Sequence, residues 1–228
     1  MNKTVAHAFK FNVVFNANWP FKKFTSSGET KDQFIAILGQ SGAGKSSLFK
    51  ALAGLLPDIQ FAGCFGGHQW HNKSTFNPCV YVSSDFGLFE HLNVRQNLQT
   101  VIKHSLRGDK QLYDSIIDDL ELAPLLNYGV SQLSGGETQR ALIARAMLCG
   151  KPILLLDEVL SNIDSGNRKR IITAMTQWHV KYKRYFLLVS HNLSDLKQLC
   201  QSALIVRDGE LTNLQPLQQN LDKYQQGL

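Results

Sequence analysis

Apolar and polar residues follow two kinds of pattern along the chain. Short continuous apolar runs are typical of strands buried on both faces of a parallel sheet, and they lie at 34–38, 80–82, 153–156, 186–189 and 203–206. Between them, apolar residues recur at helical spacing, which predicts amphipathic helices at 94–102, 112–120 and 171–182. Strands that alternate with helices predict an α/β fold with a mostly parallel sheet.

Three segments depart from this alternation. The aromatic-rich stretch 9–24 predicts further antiparallel strands. An Asp-Gly turn at 207–210, flanked by apolar residues, predicts a hairpin near the C-terminus. The stretch from about 86 to 132 has two helical patterns in succession and no strong strand, so it predicts an inserted helical sub-domain.

Composition changes this picture little. Of the 228 residues, 43% are hydrophobic and 18% are charged, which is ordinary for a globular chain and excludes a disordered one. The formal net charge of +6 could favour an anionic membrane surface or a nucleotide, but a solvated basic face explains it more simply. No apolar run approaches the roughly 20 residues of a membrane-spanning helix, and the N-terminus does not have the pattern of a secretion signal.

The cysteines and histidines do not suggest a metal site. The chain has no CxxC pair, so neither a zinc site nor a disulfide framework is indicated, and a reduced cytosolic compartment is the simplest inference. The four cysteines are Cys64, Cys79, Cys149 and Cys200. His68 and His71 have helical spacing, but we interpret their segment as a surface loop.

The strongest chemical signal is a glycine-rich loop between a predicted strand and a helix that is expected to end at Pro57. Residues 39–46 fit the pattern G-x-x-x-x-G-K-[ST]. Its glycines let several backbone N–H groups point at one phosphate chain, and the helix N-terminus adds partial positive charge. Lys45 would reach the β- and γ-phosphates, and the Ser46 hydroxyl would bind Mg²⁺. The candidate nucleotide-binding residues here are Gly39, Gln40, Ser41, Gly42, Ala43, Gly44, Lys45, Ser46 and Ser47.

Two carboxylates follow the apolar run at 153–156. A buried strand that ends in Asp157 and Glu158 places both at the carboxyl edge of the sheet, where ligands bind in such folds. Asp157 would orient Mg²⁺ or one of its waters, and Glu158 would polarise the water that attacks the γ-phosphate. In isolation such a pair could equally be an acidic cap, but the glycine-rich loop favours the catalytic interpretation.

A third motif, at 133–140, reads Leu-Ser-Gly-Gly-Glu-Thr-Gln-Arg. Ser134 with Glu137 three residues later is a capping-box pattern that begins a helix. A bare cap would not need Gly135 and Gly136, which expose backbone N–H groups to an incoming anion. With the two preceding motifs, in this order and spacing, the chain resembles the ATP-binding cassette (ABC) family, whose signature usually reads LSGGQ; Glu137 replaces that Gln.

The resemblance implies a P-loop NTPase fold: a RecA-like, mostly parallel sheet core, an antiparallel β sub-domain and an inserted α-helical sub-domain. The whole chain would be one cassette, with the core and β sub-domain at 1–85 and 150–228 and the helical sub-domain with the signature at about 86–149. It also implies ATP and Mg²⁺ as cofactors. In that family two cassettes pack head to tail around each ATP, so a second copy of the chain is the expected partner, most simply in a homodimer.

The resemblance also assigns roles to individual residues. Ser134, Gly135, Gly136 and Glu137 would bind the nucleotide of the partner cassette. His191 follows the run 186–189 and is similar to the family's switch histidine, which would contact the γ-phosphate and help fix the glutamate and the water. The segment 161–164, Ser-Asn-Ile-Asp, resembles the D-loop, usually SALD, which touches the partner cassette. The catalytic residues implied are Lys45, Glu158 and His191.

One position departs from the family pattern, and one family role has two candidate residues in this chain. Ser84 stands where the family's Q-loop has Gln, and serine is too short to reach Mg²⁺ and the attacking water as Gln would. A bridging water or Asp85 could substitute. Phe15 and Trp19 are both candidates for the aromatic residue that stacks on adenine, and either could equally belong to the core.

The function implied is that of an ATPase subunit that powers solute transport. It would lie peripherally at the cytoplasmic face of the inner membrane, bound to separate transmembrane permease subunits, and the chain resembles the small importer cassettes for solutes such as molybdate or thiamine. The apolar cluster at 86–92 would be either core or a groove for a permease helix. No nucleic-acid partner is expected. The alternatives are a soluble ABC ATPase in cofactor assembly or DNA repair, and a nucleotide-responsive module with weak hydrolysis, which Ser84 alone supports.

Overall fold

The computed structural model describes residues 7–16, 19–20, 23–84, 86–102, 110–161, 163–207 and 209–225. Its strands are β1 (His7–Val14), β2 (Lys23–Thr30), β3 (Phe34–Leu38), β4 (Gln60–Phe65), β5 (His68–His71), β6 (Cys79–Ser83), β7 (Ile153–Asp157), β8 (Tyr185–Val189), β9 (Ser202–Arg207), β10 (Glu210–Leu211) and β11 (Gln215–Pro216). Its helices are α1 (Lys45–Leu52), α2 (Val94–Ile102), α3 (Lys110–Asp119), α4 (Gly135–Leu148), α5 (Ser165–Tyr182), α6 (Leu193–Leu199) and α7 (Leu217–Gln225). Two short 3₁₀ turns, Ala123–Leu125 and Val130–Gln132, lie between α3 and α4.

The larger sheet is parallel over five neighbouring strands, in the order β9-β3-β8-β7-β6. These strands contain the five apolar runs of the sequence, and β3 and β7 are buried at every position because helices cover both faces. β10 and β11 pair antiparallel with β9. The mostly parallel sheet and the C-terminal hairpin are therefore confirmed, although Asp208 of the turn lies outside the described residues.

The smaller sheet is antiparallel, in the order β2-β1-β4-β5. Along β1, Phe9, Phe11 and Val13 are buried, while the residues between them are more exposed, because successive side chains of a strand point to opposite faces. This arrangement confirms the antiparallel strands expected in the aromatic-rich N-terminal stretch.

The segment around His68 and His71 is a strand, so its interpretation as a surface loop is wrong. The buried Trp70 lies between these histidines, and its indole Nε1 donates to the Leu52 carbonyl oxygen at 2.9 Å. The ring occupies the space over Gly63, where a Cβ would lie 2.3 Å from the indole. Over the described part of the chain, no group of three or more His, Cys, Asp or Glu side chains could hold a metal ion.

Helix α1 lies between the two sheets. Its apolar residues Leu48, Phe49 and Leu52 are fully buried and belong to the same hydrophobic cluster as the inward-facing residues of β1 and β4. The helix ends well before Pro57, contrary to the expectation from the sequence. Gly54 has a left-handed φ of 74° and ends it, since glycine adopts this conformation without a steric penalty.

Helices α2 to α6 cover the opposite face of the parallel sheet through a second hydrophobic cluster. The fully buried Asn97 fixes the start of this region, because its side chain bonds the backbone N–H and the carbonyl oxygen of Phe89 at 2.7 and 3.1 Å. Arg140 of α4 donates to the carbonyl oxygens of Leu120 and Glu121 at the end of α3, at 2.6 and 3.1 Å. Within the described ranges, no helix has the length and apolarity needed to span a bilayer.

Candidate active site

The glycine-rich loop joins β3 to α1, as the sequence predicts. Gly39, Gly42 and Gly44 have φ values of 153°, 79° and 100°, a region that residues with a Cβ rarely adopt. A Cβ on Gly39 would lie 2.5 Å from the Val206 carbonyl oxygen, whereas a Cβ on Gly42 would meet no atom within 4 Å. The curl of the loop therefore requires glycine, and it leaves open space over Gly42.

Lys45 is the first residue of α1 and is buried beneath this loop. Its Nζ donates to the carbonyl oxygens of Gly39 and Gln40, both at 2.9 Å. Burial lowers the pKa of Lys45, while the charges of Glu158 and Asp157 oppose that shift. A cation held against the loop in this way is ready to pair with an anion in the open space.

Asp157 ends β7 and is nearly fully buried, at 6% exposure. One of its carboxylate oxygens, Oδ2, accepts a hydrogen bond from the Tyr81 hydroxyl at 2.7 Å. The sequence alone does not single out Tyr81. Its position in an apolar run was the only signal, and such a run predicts a strand rather than a partner for a carboxylate 76 residues away.

Glu158 follows Asp157 and has a left-handed φ of 56°. Its backbone N–H donates to the Val189 carbonyl oxygen at 3.0 Å, which ties the end of β7 to the end of β8. Beyond β8, the His191 imidazole Nε2 lies 2.8 Å from Glu158 Oε1. The structure therefore brings together the two side chains that the sequence separates by the whole of α5.

Many of the predicted site residues line one cavity of about 340 Å³. Its described lining residues are Trp19, Pro20, Ser41, Gly42, Gly44, Lys45, Ser46, Ser47, Glu158 and His191. Gly39, Gln40, Ala43 and Asp157 are not among them. The cavity has a cation, several small or hydroxyl-bearing residues and a carboxylate–imidazole pair around one space, which is a composition suited to phosphate chemistry.

The two candidate aromatic residues have different positions. Trp19 lines the cavity, whereas Phe15 is buried at 6% exposure and packs between Trp19 and Phe24, with ring centroids 5.3 and 5.2 Å apart respectively. Phe15 is thus a core residue behind Trp19, and Trp19 is the aromatic residue available to a ligand.

The start of α4 lies outside this cavity. Ser134 is the N-cap: its Oγ accepts from the Glu137 backbone N–H at 3.3 Å, and Glu137 Oε2 accepts from the Ser134 backbone N–H at 2.8 Å. This reciprocal pair is the predicted capping box. Hydrogen bonds from Ser134 lower the pKa of Glu137. No described residue of this helix start lines the cavity.

Gly135 is exposed but Gly136 is buried. A Cβ on Gly136 would lie 2.6 Å from Asn167 Nδ2. That amide also donates to Asp164 Oδ2 at 2.6 Å, while the Asn167 backbone N–H donates to Asp164 Oδ1 at 2.9 Å. Asn167 therefore joins the predicted D-loop to the start of α4. The sequence does not indicate this role for Asn167, since a polar residue in the first turn of a helix carries no such signal.

Ser84 is exposed in the turn after β6. It is not among the described residues that line the cavity. Asp85, the other group that could replace the family's Gln, lies outside the described residues, as does Asn162 of the predicted D-loop.

The apolar cluster at 86–92 is divided between core and surface. Leu88 is buried, while Phe86 and Phe89 are about half exposed, at 51% and 49%. Arg145 of α4 contacts the segment in two ways. One guanidinium nitrogen donates to the Gly87 carbonyl oxygen at 2.9 Å, and the guanidinium lies 5.2 Å from the Phe89 ring centroid. The segment therefore presents two aromatic rings on a fixed backbone.

Comparison with solved structures places the fold. The chain matches the ATP-binding cassette MJ0796, described as a dimer in a post-hydrolysis state bound to ADP and Pi, with a TM-score of 0.74 and 20% identity over 92% of this chain and 99% of that one. A second structure, described as a dimeric bacterial ABC transporter cassette, also MJ0796, matches with a TM-score of 0.74 and 21% identity over 92% of this chain and 98% of that one.

Curated relatives match at higher identity. The molybdenum import ATP-binding protein ModC of Saccharophagus degradans is 35% identical over 180 residues, which are 76% of this chain and 50% of that protein. The thiamine import ATP-binding protein ThiQ of Yersinia pestis is 35% identical over 198 residues, 82% of this chain and 81% of that protein. The chain thus spans about half the length of the molybdenum relatives.

The family model described as "ABC transporter" matches residues 27–161, which is more than half of the chain. This segment contains the glycine-rich loop, the helix start at 134–137 and the carboxylates at the end of β7. With a 35% identical relative covered over most of its length, these matches show that the chain belongs to the ABC transporter family.

Proposed function

We propose that this chain is the ATP-hydrolysing subunit of an ABC importer, peripheral to the cytoplasmic face of the inner membrane and bound to separate permease subunits. The observation that carries the proposal is the Glu158–His191 pair, 2.8 Å apart, in the same cavity as Lys45 and the glycine-rich loop. The ModC and ThiQ relatives, described as import ATP-binding proteins, support the transport role.

In this proposal the loop 39–47 binds the phosphates. Its backbone N–H groups and the N-terminus of α1 surround the open space over Gly42, and Lys45 exchanges its two carbonyl partners for phosphate oxygens. The Ser46 hydroxyl and the Asp157 carboxylate are hard oxygen donors, which suit Mg²⁺. When bound, Mg²⁺ would neutralise charge that develops on the β- and γ-phosphates.

Glu158 would orient and deprotonate the attacking water, and His191 would hold the Glu158 carboxylate through the contact at 2.8 Å. The left-handed backbone at Glu158 and its bond to the Val189 carbonyl oxygen fix the direction of the side chain. Trp19 would stack on the nucleotide base, since it lines the cavity and Phe15 supports it from behind.

A second copy of the chain would complete the site. The start of α4 is exposed at Ser134 and Gly135 but does not line the chain's own cavity, so its N–H groups and helix dipole are available to a nucleotide held by another copy. The MJ0796 cassette, described as dimeric, supports this arrangement. We also propose that 86–149 is the helical sub-domain and that Phe86 and Phe89 on its surface meet a permease helix.

Replacing Glu158 with Gln tests the proposal. Loss of the general base should lower ATP turnover by about 10²–10⁴-fold, while nucleotide binding persists, so ATP should trap a dimer that is visible by light scattering. The matched control is Glu29→Gln, on the exposed side of β2. A chain that stays monomeric with ATP would contradict the shared site, and pairing without hydrolysis in the unaltered chain would favour the nucleotide-responsive module.

A further inference from the structure

Tyr81 reaches Asp157 from the neighbouring strand. In the register of β6 and β7, Tyr81 stands opposite Leu155 and Ser83 stands opposite Asp157. The Tyr81 side chain therefore extends two positions along the sheet to donate its hydroxyl hydrogen to Asp157 Oδ2, at 2.7 Å. Since both residues share a sheet face, this contact needs no movement of the backbone.

The Tyr81 ring is itself held in place. It packs edge-on against Phe86, with ring centroids 5.7 Å apart and an interplanar angle of 75°, and the Lys50 ammonium lies 6.0 Å from its centroid. A ring fixed on two sides presents its hydroxyl in one direction, which is the requirement for orienting a carboxylate.

The two hydroxyl groups that follow Tyr81 on β6 and its turn do not share this role. Ser83 is 4% exposed, and its Oγ has no hydrogen-bond partner among the described residues. Ser84, at the Q-loop position, is exposed to solvent. The hydrogen bond that the structure gives to the Asp157 carboxylate comes from Tyr81.

We propose that Tyr81 is a positioning residue for Asp157, which fixes one carboxylate oxygen so that the other faces a divalent cation bound with the nucleotide. The proposal rests on the proposed function. A neutral donor restricts the carboxylate's rotation without cancelling its negative charge. The Tyr81–Asp157 hydrogen bond would thus constrain the metal site from β6. This strand leads into the segment where Ser84 replaces the Gln of the family's Q-loop.

Tyr81→Phe tests the inference, because it removes the hydroxyl and keeps the ring. The affinity for a fluorescent ATP analogue is measured with Mg²⁺ and with EDTA, and Mn²⁺ binding to the nucleotide complex is followed by electron paramagnetic resonance. We expect Mn²⁺ affinity to fall about 10-fold, with unchanged nucleotide affinity in EDTA. The matched control is Tyr113→Phe in α3, whose hydroxyl has no hydrogen-bond partner among the described residues.

The outcomes separate this inference from the function on which it rests. Unchanged Mn²⁺ affinity in Tyr81→Phe, with normal binding by the unaltered chain, overturns the role of Tyr81 and leaves the proposed function intact. Failure of the unaltered chain to bind nucleotide with Mg²⁺ overturns both. If Tyr81→Phe lowers the melting temperature, the same change is made in an Asp157→Asn background: a persisting loss of Mg²⁺-dependent affinity there overturns the inference, and its disappearance supports it.

Discussion

The helices α1 and α4 both begin after a glycine-containing loop, but their first turns differ. At α1 the N-cap is Gly44, with a left-handed φ of 100° and no side-chain hydrogen bond, and the first residue is a lysine. At α4 the N-cap is Ser134, whose side chain bonds Glu137 in a capping box. The first turn of α1 therefore keeps its backbone N–H groups free of side-chain caps and carries a positive charge. The first turn of α4 has some of its N–H groups bonded by its own side chains and carries a negative charge.

This difference shows how the N-cap residue and the first turn of a helix decide whether its N–H groups stay open to a ligand. The start of α1 lies in a cavity and can bind an anion within a single chain. The start of α4 is stable without a ligand, because the capping box already occupies two of its N–H groups. In the proposed function it would offer the donor that stays exposed, the Gly135 N–H, to a nucleotide held by a second copy of the chain.

The largest expected effect separates the two helix starts directly. Lys45→Ala should reduce nucleotide binding and turnover by about 100-fold or more, because it removes the cation of the cavity. Ser134→Ala should leave nucleotide binding by the single chain near its normal level and weaken ATP-driven pairing. Equilibrium binding of a fluorescent nucleotide and light scattering measure the two effects. Equal loss of nucleotide binding in both variants would mean that the two starts do not act separately.

A smaller effect is expected at Gly136, which tests the contact with Asn167. Gly136→Ala places a Cβ 2.6 Å from Asn167 Nδ2, so either the Asn167 amide must leave Asp164 or the start of α4 must shift. Either change should weaken ATP-driven pairing about 10-fold. The double variant Gly136→Ala with Asn167→Ala removes the clash and should recover part of the loss, measured by the ATP concentration that gives half-maximal pairing. The control is Asn167→Ala alone, and no recovery in the double variant would show that the close approach is not the cause.

The smallest effect concerns the charge of Glu137. Hydrogen bonds from Ser134 lower its pKa below the ordinary value of 4.5, so its carboxylate stabilises the folded state above pH 4.5 and this contribution is lost as the pH falls through the lowered pKa. Glu137→Gln keeps the acceptor of the capping box and removes the charge. The unaltered chain should have a slightly higher urea midpoint than this variant at pH 7, and the difference should disappear at pH 2 to 3. If the two urea midpoints still differ at pH 2 to 3, the effect of Glu137→Gln comes from packing and not from the charge.

Much of this architecture could be predicted from the sequence because its signals are local. The five apolar runs predict the parallel strands, and the spacing within 39–46 predicts the glycine-rich loop between β3 and α1. Likewise, the Ser134 and Glu137 spacing predicts a cap whose two members are three residues apart. Each pattern is contained in one short segment, so periodicity and stereochemistry alone predict it.

Other features depend on contacts between distant segments. The bond from Tyr81 to Asp157 and the packing of Gly136 against Asn167 exist only once the sheet register and the approach of α4 to α5 are fixed. The end of α1 is a different case, because its signal is local: Pro57 predicts a later stop, but Gly54 in a left-handed conformation ends the helix earlier. The strand at His68 does depend on distant contacts, since its pairing with β4 and the burial of Trp70 outweigh a weak local pattern.

The backbone at Glu158 has a consequence for the evolution of this chain. A left-handed φ at a residue with a Cβ costs about 1–2 kcal/mol relative to glycine. Glu158, whose carboxylate contacts His191, has such a φ, at 56°. Glycine at position 158 would remove this backbone strain and raise the melting temperature, but it would also remove the carboxylate. If Glu158 acts as proposed, thermal stability favours glycine at position 158 whereas ATP turnover requires the carboxylate.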